Sequence, residues 1–206
     1  MTAPLGVILA GGLARRMGGG DKGLLMLQDQ SLLARVSARL SPQVAGMELN
    51  ANGDPARFSA LDLPVISDSI AEYPGPLAGV LAGLDWAAEQ GADSIVTAAA
   101  DTPFFPTDLV ARLTAASVGM AHPLVLAATP DAERGQVRHP TFGLWPVALR
   151  NDLRAALGDG LRKVVLWTRR HDGREALFSG HEVDPFFNVN TPEDLAQAAS
   201  FLKDLP

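Results

Sequence analysis

Apolar residues fall into short runs that alternate with stretches of helical periodicity. Leu5-Gly6-Val7-Ile8-Leu9-Ala10 is a continuous run with the length and character of a fully buried first strand. From about Ser31 to Leu40, the positions Leu32, Leu33, Val36 and Leu40 recur at helical spacing. Met47–Asn50 and Pro64–Ser67 predict two more strands. Pro76 stands where a helix begins, since proline suits a first helical position, and Leu77, Val80, Leu81, Leu84, Ala87 and Ala88 form its buried stripe. Ser94–Ala99 is the clearest later strand and runs straight into Asp101. A helix follows from Pro106 to about Ala116. Strands are predicted at Leu124–Ala127 and Thr141–Leu144, flanking a polar loop from Thr129 to Arg138. Helical patterns cover Pro146–Leu157 and Leu161–Thr168. The last helix opens at Thr191-Pro192-Glu193-Asp194, where threonine suits the cap and the acids suit the positive end of the dipole.

Strands and helices in alternation predict an α/β fold with a mostly parallel central sheet flanked by helices. The chain has no internal repeat, no low-complexity tract and no linker rich in Pro, Gly or Ser. One domain over 1–206 is the simplest expectation, with a nucleotide-binding half to about 105 and a second-substrate half from about 106.

Composition narrows the function. The 206 residues are 47% hydrophobic, enough to bury a substantial core. No apolar stretch reaches the ~18 residues of a membrane span, and Met1–Pro4 lacks a basic signal-peptide region, so a soluble cytoplasmic protein is expected. A formal net charge of -6 speaks against a nucleic-acid partner. The absence of cysteine excludes disulfides, thiolate metal sites and cysteine nucleophiles.

The cations that matter are concentrated near the start. Seven of the 20 glycines lie within the first 23 residues, around Arg15, Arg16 and Lys22. Glycine lets backbone N–H groups approach a ligand, arginine offers a bidentate fork and lysine a compact charge. Such a loop directly behind a buried strand is built for a polyphosphate. It is not a Walker A loop, because Lys22 follows Asp21 and precedes Gly23. Gly18, Gly20 and Gly23 fit G-x-G-x-x-G, but too far past the strand end for a dinucleotide turn. A surface loop with solvated charges is the plain alternative. Its place after the first strand of an open sheet favours the ligand role.

Asp101 lies just beyond an apolar strand, where the crevice of such sheets opens, and reads as an Mg²⁺ ligand or as a turn residue in Asp-Thr-Pro. Asp68 can reach the same crevice. Asn188 and Asn190 share one face if extended, free to bind metal or phosphate or to cap the helix that follows. The histidines at 122, 139, 171 and 181 show no metal spacing, and there is no G-x-S-x-G elbow. His139 either faces a second substrate or holds a structural place. The lack of a nucleophile fits phosphate attacking phosphate, where positioning and charge neutralisation dominate.

These motifs together resemble the molybdenum cofactor guanylyltransferases, the MobA family. The matches run in order along the chain. They are Leu9-Ala10-Gly11-Gly12 with Arg15-Arg16-Met17-Gly18-Gly19 and Asp21-Lys22-Gly23, then Asn50-Ala51-Asn52, Asp68 and Tyr73-Pro74-Gly75-Pro76-Leu77-Ala78-Gly79. Asp101-Thr102-Pro103, His139-Pro140-Thr141 and Asn188-Val189-Asn190-Thr191-Pro192-Glu193-Asp194-Leu195 complete them. The resemblance implies a Rossmann-like nucleotidyltransferase fold and transfer of GMP from GTP to the terminal phosphate of molybdopterin, releasing pyrophosphate. It implies that Leu9, Ala10, Gly11, Gly12, Lys22, Asn50, Asp68 and Asp101 contact the nucleotide or its metal, with Asp101 the Mg²⁺ ligand. Arg16 and Gly19 would handle phosphate, with Arg16, Lys22 and Asp101 catalytic, while Asn188 and Asn190 would face the pterin. Transient contacts with molybdoenzymes or their chaperones follow from family alone. Related cytidylyltransferases and sugar-phosphate nucleotidyltransferases carry a similar loop and strand-end acid. A non-catalytic carrier of nucleotide or cofactor would not need Lys22 and Asp101 to neutralise a leaving pyrophosphate.

Overall fold

The computed structural model describes residues 3–11, 21–70, 75–179 and 183–204. Nine strands are found among them: β1 (Leu5–Leu9), β2 (Met26–Leu27), β3 (Gln30–Ser31), β4 (Met47–Asn50), β5 (Val65–Ile66), β6 (Ser94–Ala99), β7 (Val125–Asp131), β8 (Gly135–Pro146) and β9 (Arg174–Leu177). The α-helices are α1 (Leu32–Leu40), α2 (Pro76–Glu89), α3 (Leu109–Ala116), α4 (Arg150–Gly158), α5 (Val164–Arg170) and α6 (Pro192–Asp204). Seven strands make the central sheet in the order β5-β4-β1-β6-β8-β7-β9. β1 pairs in parallel with β4 and with β6, β4 with β5, and β7 with β9; only β8 runs antiparallel to its neighbours. The sheet is mostly parallel, as the alternation of patterns predicts.

The chain leaves β1 toward β4 and β5 on one side and returns to β6 on the other. That reversal opens a crevice beyond the carboxyl ends of β1 and β6. Leu9 sits opposite Asn50 on one flank and Ala99 on the other. The ladder continues past the strands, through Ala10 N–H to Asn50 O at 2.9 Å and Ala100 N–H to Leu9 O at 3.1 Å. The ends of β1, β4 and β6 are therefore level.

Helix α2 closes one face of the sheet. It begins at Pro76 and is buried nearly all round, because it lies between the sheet and α4. Its apolar stripe is as expected, but Gly79 and Gly83 are what bring it close. A Cβ on Gly83 would stand 2.7 Å from Val7 Cγ2. Buried Trp145 on β8 donates to Thr97 on β6 at 2.9 Å and stacks near Trp167 of α5. α1 is capped by Ser31, whose hydroxyl accepts from Ala34 N–H at 3.1 Å.

Three features depart from the sequence reading. The polar stretch Thr129–Arg138 is not a loop, for β7 and β8 extend through it as a hairpin whose turn is only residues 132–134. Its residues are half-buried or exposed, which fits their polarity. Helix α3 begins at Leu109 rather than Pro106, and α4 at Arg150 after a short 3-10 turn at Val147–Leu149. β9 and the two-residue β2–β3 hairpin carry too short an apolar pattern to register.

Glu48 on β4 is an uncompensated feature of this packing. Its side chain is buried, and Oε2 has no hydrogen-bond partner among the described residues. Burial, helped by the charge of Glu89 and opposed by the Trp86 indole, pushes its carboxyl up to about 7. A carboxyl raised in the folded state costs stability as pH climbs from its unfolded value through the folded one. Glu48→Gln is therefore expected to raise the melting temperature at about pH 8, with the gain shrinking to nothing below about pH 4. Thermal denaturation across that range checks it.

Candidate active site

The crevice at the ends of β1, β4 and β6 holds a cavity of about 400 Å³. Leu9, Ala10 and Gly11 form one wall, and Lys22, Asn50, Asp68 and Asp101 contribute the charged and amide groups. The structure thus brings together every described residue expected to meet a nucleotide. Gly12, Arg16 and Gly19 lie outside the described residues. Asn52, Gly75, Pro76, Gly79 and Thr141 also line the cavity.

Lys22 is the centre of the polar floor. It opens a 3-10 turn, Lys22–Leu24, packed against the sheet through Gly23, where a Cβ would meet Leu33 and Ala100 at 3.2 and 3.3 Å. Its ammonium donates to Asp101 Oδ2 at 2.6 Å and to Asn190 Oδ1 at 2.5 Å. Asp101 lies two residues past the end of β6. Its backbone carbonyl accepts from Val189 N–H at 2.9 Å, pinning the segment before α6 across the strand end. The Thr102 hydroxyl, fully buried, donates to Asn188 Oδ1 at 2.6 Å.

Asn188 and Asn190 are therefore turned toward Thr102 and Lys22, while Val189 between them is buried. Asn190 is not the helix cap. Thr191 takes that place, its hydroxyl accepting from Asp194 N–H at 3.1 Å, and Asp194 Oδ2 accepts from the N–H groups of Asn190 and Thr191 at 2.8 and 2.9 Å. These bonds hold the Asp194 carboxyl below the usual carboxylate range, the Asn190 N–H most of all, with Thr191 and the Lys22 charge adding to it.

On the opposite flank, Asp68 is clamped by two amides. Asn50 donates to its Oδ1 at 3.0 Å, Asn52 to its Oδ2 at 2.7 Å, and Asp68 N–H returns a bond to Asn52 Oδ1 at 2.9 Å. Arg57, in the 3-10 helix Pro55–Leu61, joins this loop to the phosphate side. It donates to Asp21 Oδ2 at 2.5 Å, to Asp54 O at 2.5 Å and to Asn52 O, with its guanidinium over the Phe58 ring. Nothing in the local sequence marks Arg57, because its partners are 36 residues back and in its own preceding loop. Thr102 and Asp194 were equally invisible as site residues, though both lie inside quoted motifs.

His139 lies outside this cavity. Its ring stacks on Phe186 with centroids 4.1 Å apart, and Nε2 is 2.9 Å from the Thr129 hydroxyl. Burial lowers its pKa, against the pull of Asp184, and so favours the neutral ring.

The donor set suits a hard cation that brings its own ligands. Among the described residues no group of three His, Cys, Asp or Glu side chains can cage a metal. A cation at Asp101 would complete its shell from phosphate oxygens and water, as Mg²⁺ does. Among the described residues no helix is long and apolar enough to cross a membrane.

Known proteins share the sequence and the fold of this chain. A family model described as a MobA-like NTP transferase domain matches residues 6–173. A molybdenum cofactor guanylyltransferase from Bradyrhizobium sp. (strain ORS 278) is 52% identical over 96% of this chain and 92% of its own. One from Rhodopseudomonas palustris (strain HaA2) is 51% identical over 95% and 91%. The solved molybdopterin-guanine dinucleotide biosynthesis protein A of Archaeoglobus fulgidus superposes with a TM-score of 0.75 over 98% of this chain and 100% of that one. At 23% identity, that likeness speaks to the fold.

Gly79 is the position where helix and site meet. A Cβ there would fall 2.2 Å from Asn50 Oδ1 and 2.9 Å from Leu9 Cδ2. Gly79→Ala must displace Asn50, and with it the clamp on Asp68. We expect a stability loss of about 1–3 kcal/mol, as overpacking costs, together with weakened binding of a nucleoside triphosphate such as GTP. Denaturant unfolding and a GTP titration check the two parts.

Proposed function

The chain belongs to the MobA-like NTP transferase family, among its molybdenum cofactor guanylyltransferases, and on that premise we propose that it transfers GMP from GTP to the terminal phosphate of molybdopterin. The products are molybdopterin guanine dinucleotide and pyrophosphate. The observation that carries this reading is the Lys22–Asp101 pair, 2.6 Å apart on the floor of a cavity at the topological switch between β1 and β6.

The acceptor phosphate is already ionised, so the protein need not supply a nucleophile. Its work is to place two anions together and to offset the charge of the leaving pyrophosphate. Leu9, Ala10 and Gly11 present backbone to the nucleotide, and Asn50 with Asp68 supplies polar groups along one wall. Lys22 contributes a positive charge held by two acceptors, ready to exchange one of them for a phosphate oxygen. Arg16 and Gly19 are assigned to phosphate from the motif alone. Asp101 would hold Mg²⁺, which when bound neutralises triphosphate charge. Asn188 and Asn190 border the side from which the pterin phosphate would approach, within the C-terminal half. The reading implies a cytoplasmic enzyme that hands its product to molybdoenzymes or their chaperones.

Incubation with Mg²⁺, molybdopterin and either GTP or CTP, with assay of pyrophosphate and the pterin dinucleotide, tests the whole. Product with GTP alone supports the reading; product with CTP alone replaces the base, and product from a sugar phosphate instead of molybdopterin replaces the acceptor. Asp101→Ala is expected to lower kcat by roughly 100-fold or more while the protein still folds, with only a modest fall in melting temperature because Lys22 keeps its bond to Asn190. Normal turnover in Mg²⁺ would remove Asp101 from the site. Lys22→Ala should also reduce kcat, and unchanged kinetics would strip the loop of its phosphate role.

A further inference from the structure

A second cavity, of about 460 Å³, opens beside the first. β7 and β9 run parallel to β6 through the antiparallel β8, so their carboxyl ends face the same way as the nucleotide crevice. The cavity lies beyond those ends, among Thr129, Asp131, His139, Phe178, Ser179 and Asp184. His139 is only two residues from Thr141, which lines the nucleotide cavity. Along β8 the two cavities are therefore within about 7 Å of each other.

The walls differ in charge. The nucleotide cavity has Lys22, whereas this one is lined, among the described residues, by two carboxylates, no lysine or arginine, and an imidazole whose neutral form burial favours. Such walls repel phosphate and accept a planar ring whose edge presents N–H donors. Asp131 is engaged in the hairpin turn, its Oδ1 accepting from Glu133 and Arg134 N–H at 3.0 and 2.7 Å. Asp184 Oδ1 accepts from Phe186 N–H at 2.9 Å; its Oδ2 has no hydrogen bond to a described residue. The half-buried His139 ring, stacked on Phe186, and the half-buried Val137 supply apolar surface, while Phe178 is fully buried.

Resting on the reading that a pterin phosphate is the acceptor, we propose that this cavity seats the pterin ring. The Asp184 carboxylate accepts there from the paired N–H groups of the 2-amino-4-oxo edge. The acceptor's phosphate then leads back along β8 toward Lys22, away from the acidic walls. A carboxylate facing two adjacent N–H donors is a charge-assisted, two-pronged contact, and it selects this edge over a ring that presents acceptors there.

Asp184→Asn separates binding from folding, because the amide oxygen can still accept from Phe186 N–H. Steady-state kinetics should show KM for molybdopterin raised roughly tenfold, with KM for GTP and the melting temperature unchanged. Fluorescence titration with free pterin should show the same loss of affinity relative to the parent. An acceptor KM equal to the parent's, or pterin bound equally by both proteins, would overturn the proposal. So would a variant that melts earlier and raises both KM values together, since that marks a structural role. If the parent makes no dinucleotide at all, the guanylyltransferase reading fails, and the pterin titration still decides the cavity.

Discussion

The parallel pairing of β1 with β6, with β4 on the far side of β1, is the constraint on which the rest depends. It makes three strands end at one level, so that Ala10, Asn50 and Asp101 emerge into a common crevice without any long loop to place them. Small side chains where α2 crosses let the helix cover this pairing closely. Gly79 and Gly83 leave room for Asn50, Leu9 and Val7, so the helix can lie close enough to bury the sheet. Fold stability and site geometry thus draw on the same contacts.

Within the crevice the organising charge is that of Lys22. An ammonium this shielded, with its side chain 14% exposed, must be paired, and it is satisfied by one carboxylate and one amide oxygen. Those partners come from opposite ends of the chain. Asp101 is fixed by β6, while Asn190 is fixed by Asp194, which gathers two backbone N–H groups at the start of α6. The last helix therefore contributes to the site through its first turn and not through its apolar face. On the other flank, Arg57 ties the Asp68 clamp to Asp21, next to Lys22. The polar side chains of the described cavity thus form two connected networks that meet at Asp21 and Lys22.

An acidic chain that handles triphosphate must keep its own anions from the ligand's. Here the carboxylates that line the cavity are each engaged: Asp68 by two amides and Asp101 by Lys22. The neighbouring cavity keeps its acids and, among the described residues, has no lysine or arginine in its lining. The two compartments differ electrostatically in the way a phosphate and a neutral heterocycle differ, and β8 runs between them.

The strands Leu5–Leu9, Met47–Asn50 and Ser94–Ala99 and the helices opening at Pro76 and after Thr191 were legible in the sequence, because burial imposes a period on consecutive residues. So were Lys22, Asp68 and Asp101, because glycine content and strand ends mark where a crevice must lie. The hairpin Thr129–Arg138 was not, since its pairing partners satisfy the backbone without an apolar face to announce it. Nor were Arg57, Thr102 and Asp194, or the partners that Asn188 and Asn190 find in Thr102 and Lys22. Their meaning rests on hydrogen bonds between side chains and on approaches such as Lys22 to Asn190 across 168 residues, which no local pattern encodes. The sequence by itself determined which segments are strands and helices and which residue types can do the chemistry. Only the tertiary structure decided which of those residues meet, because contact between distant segments depends on the strand order that packing selects.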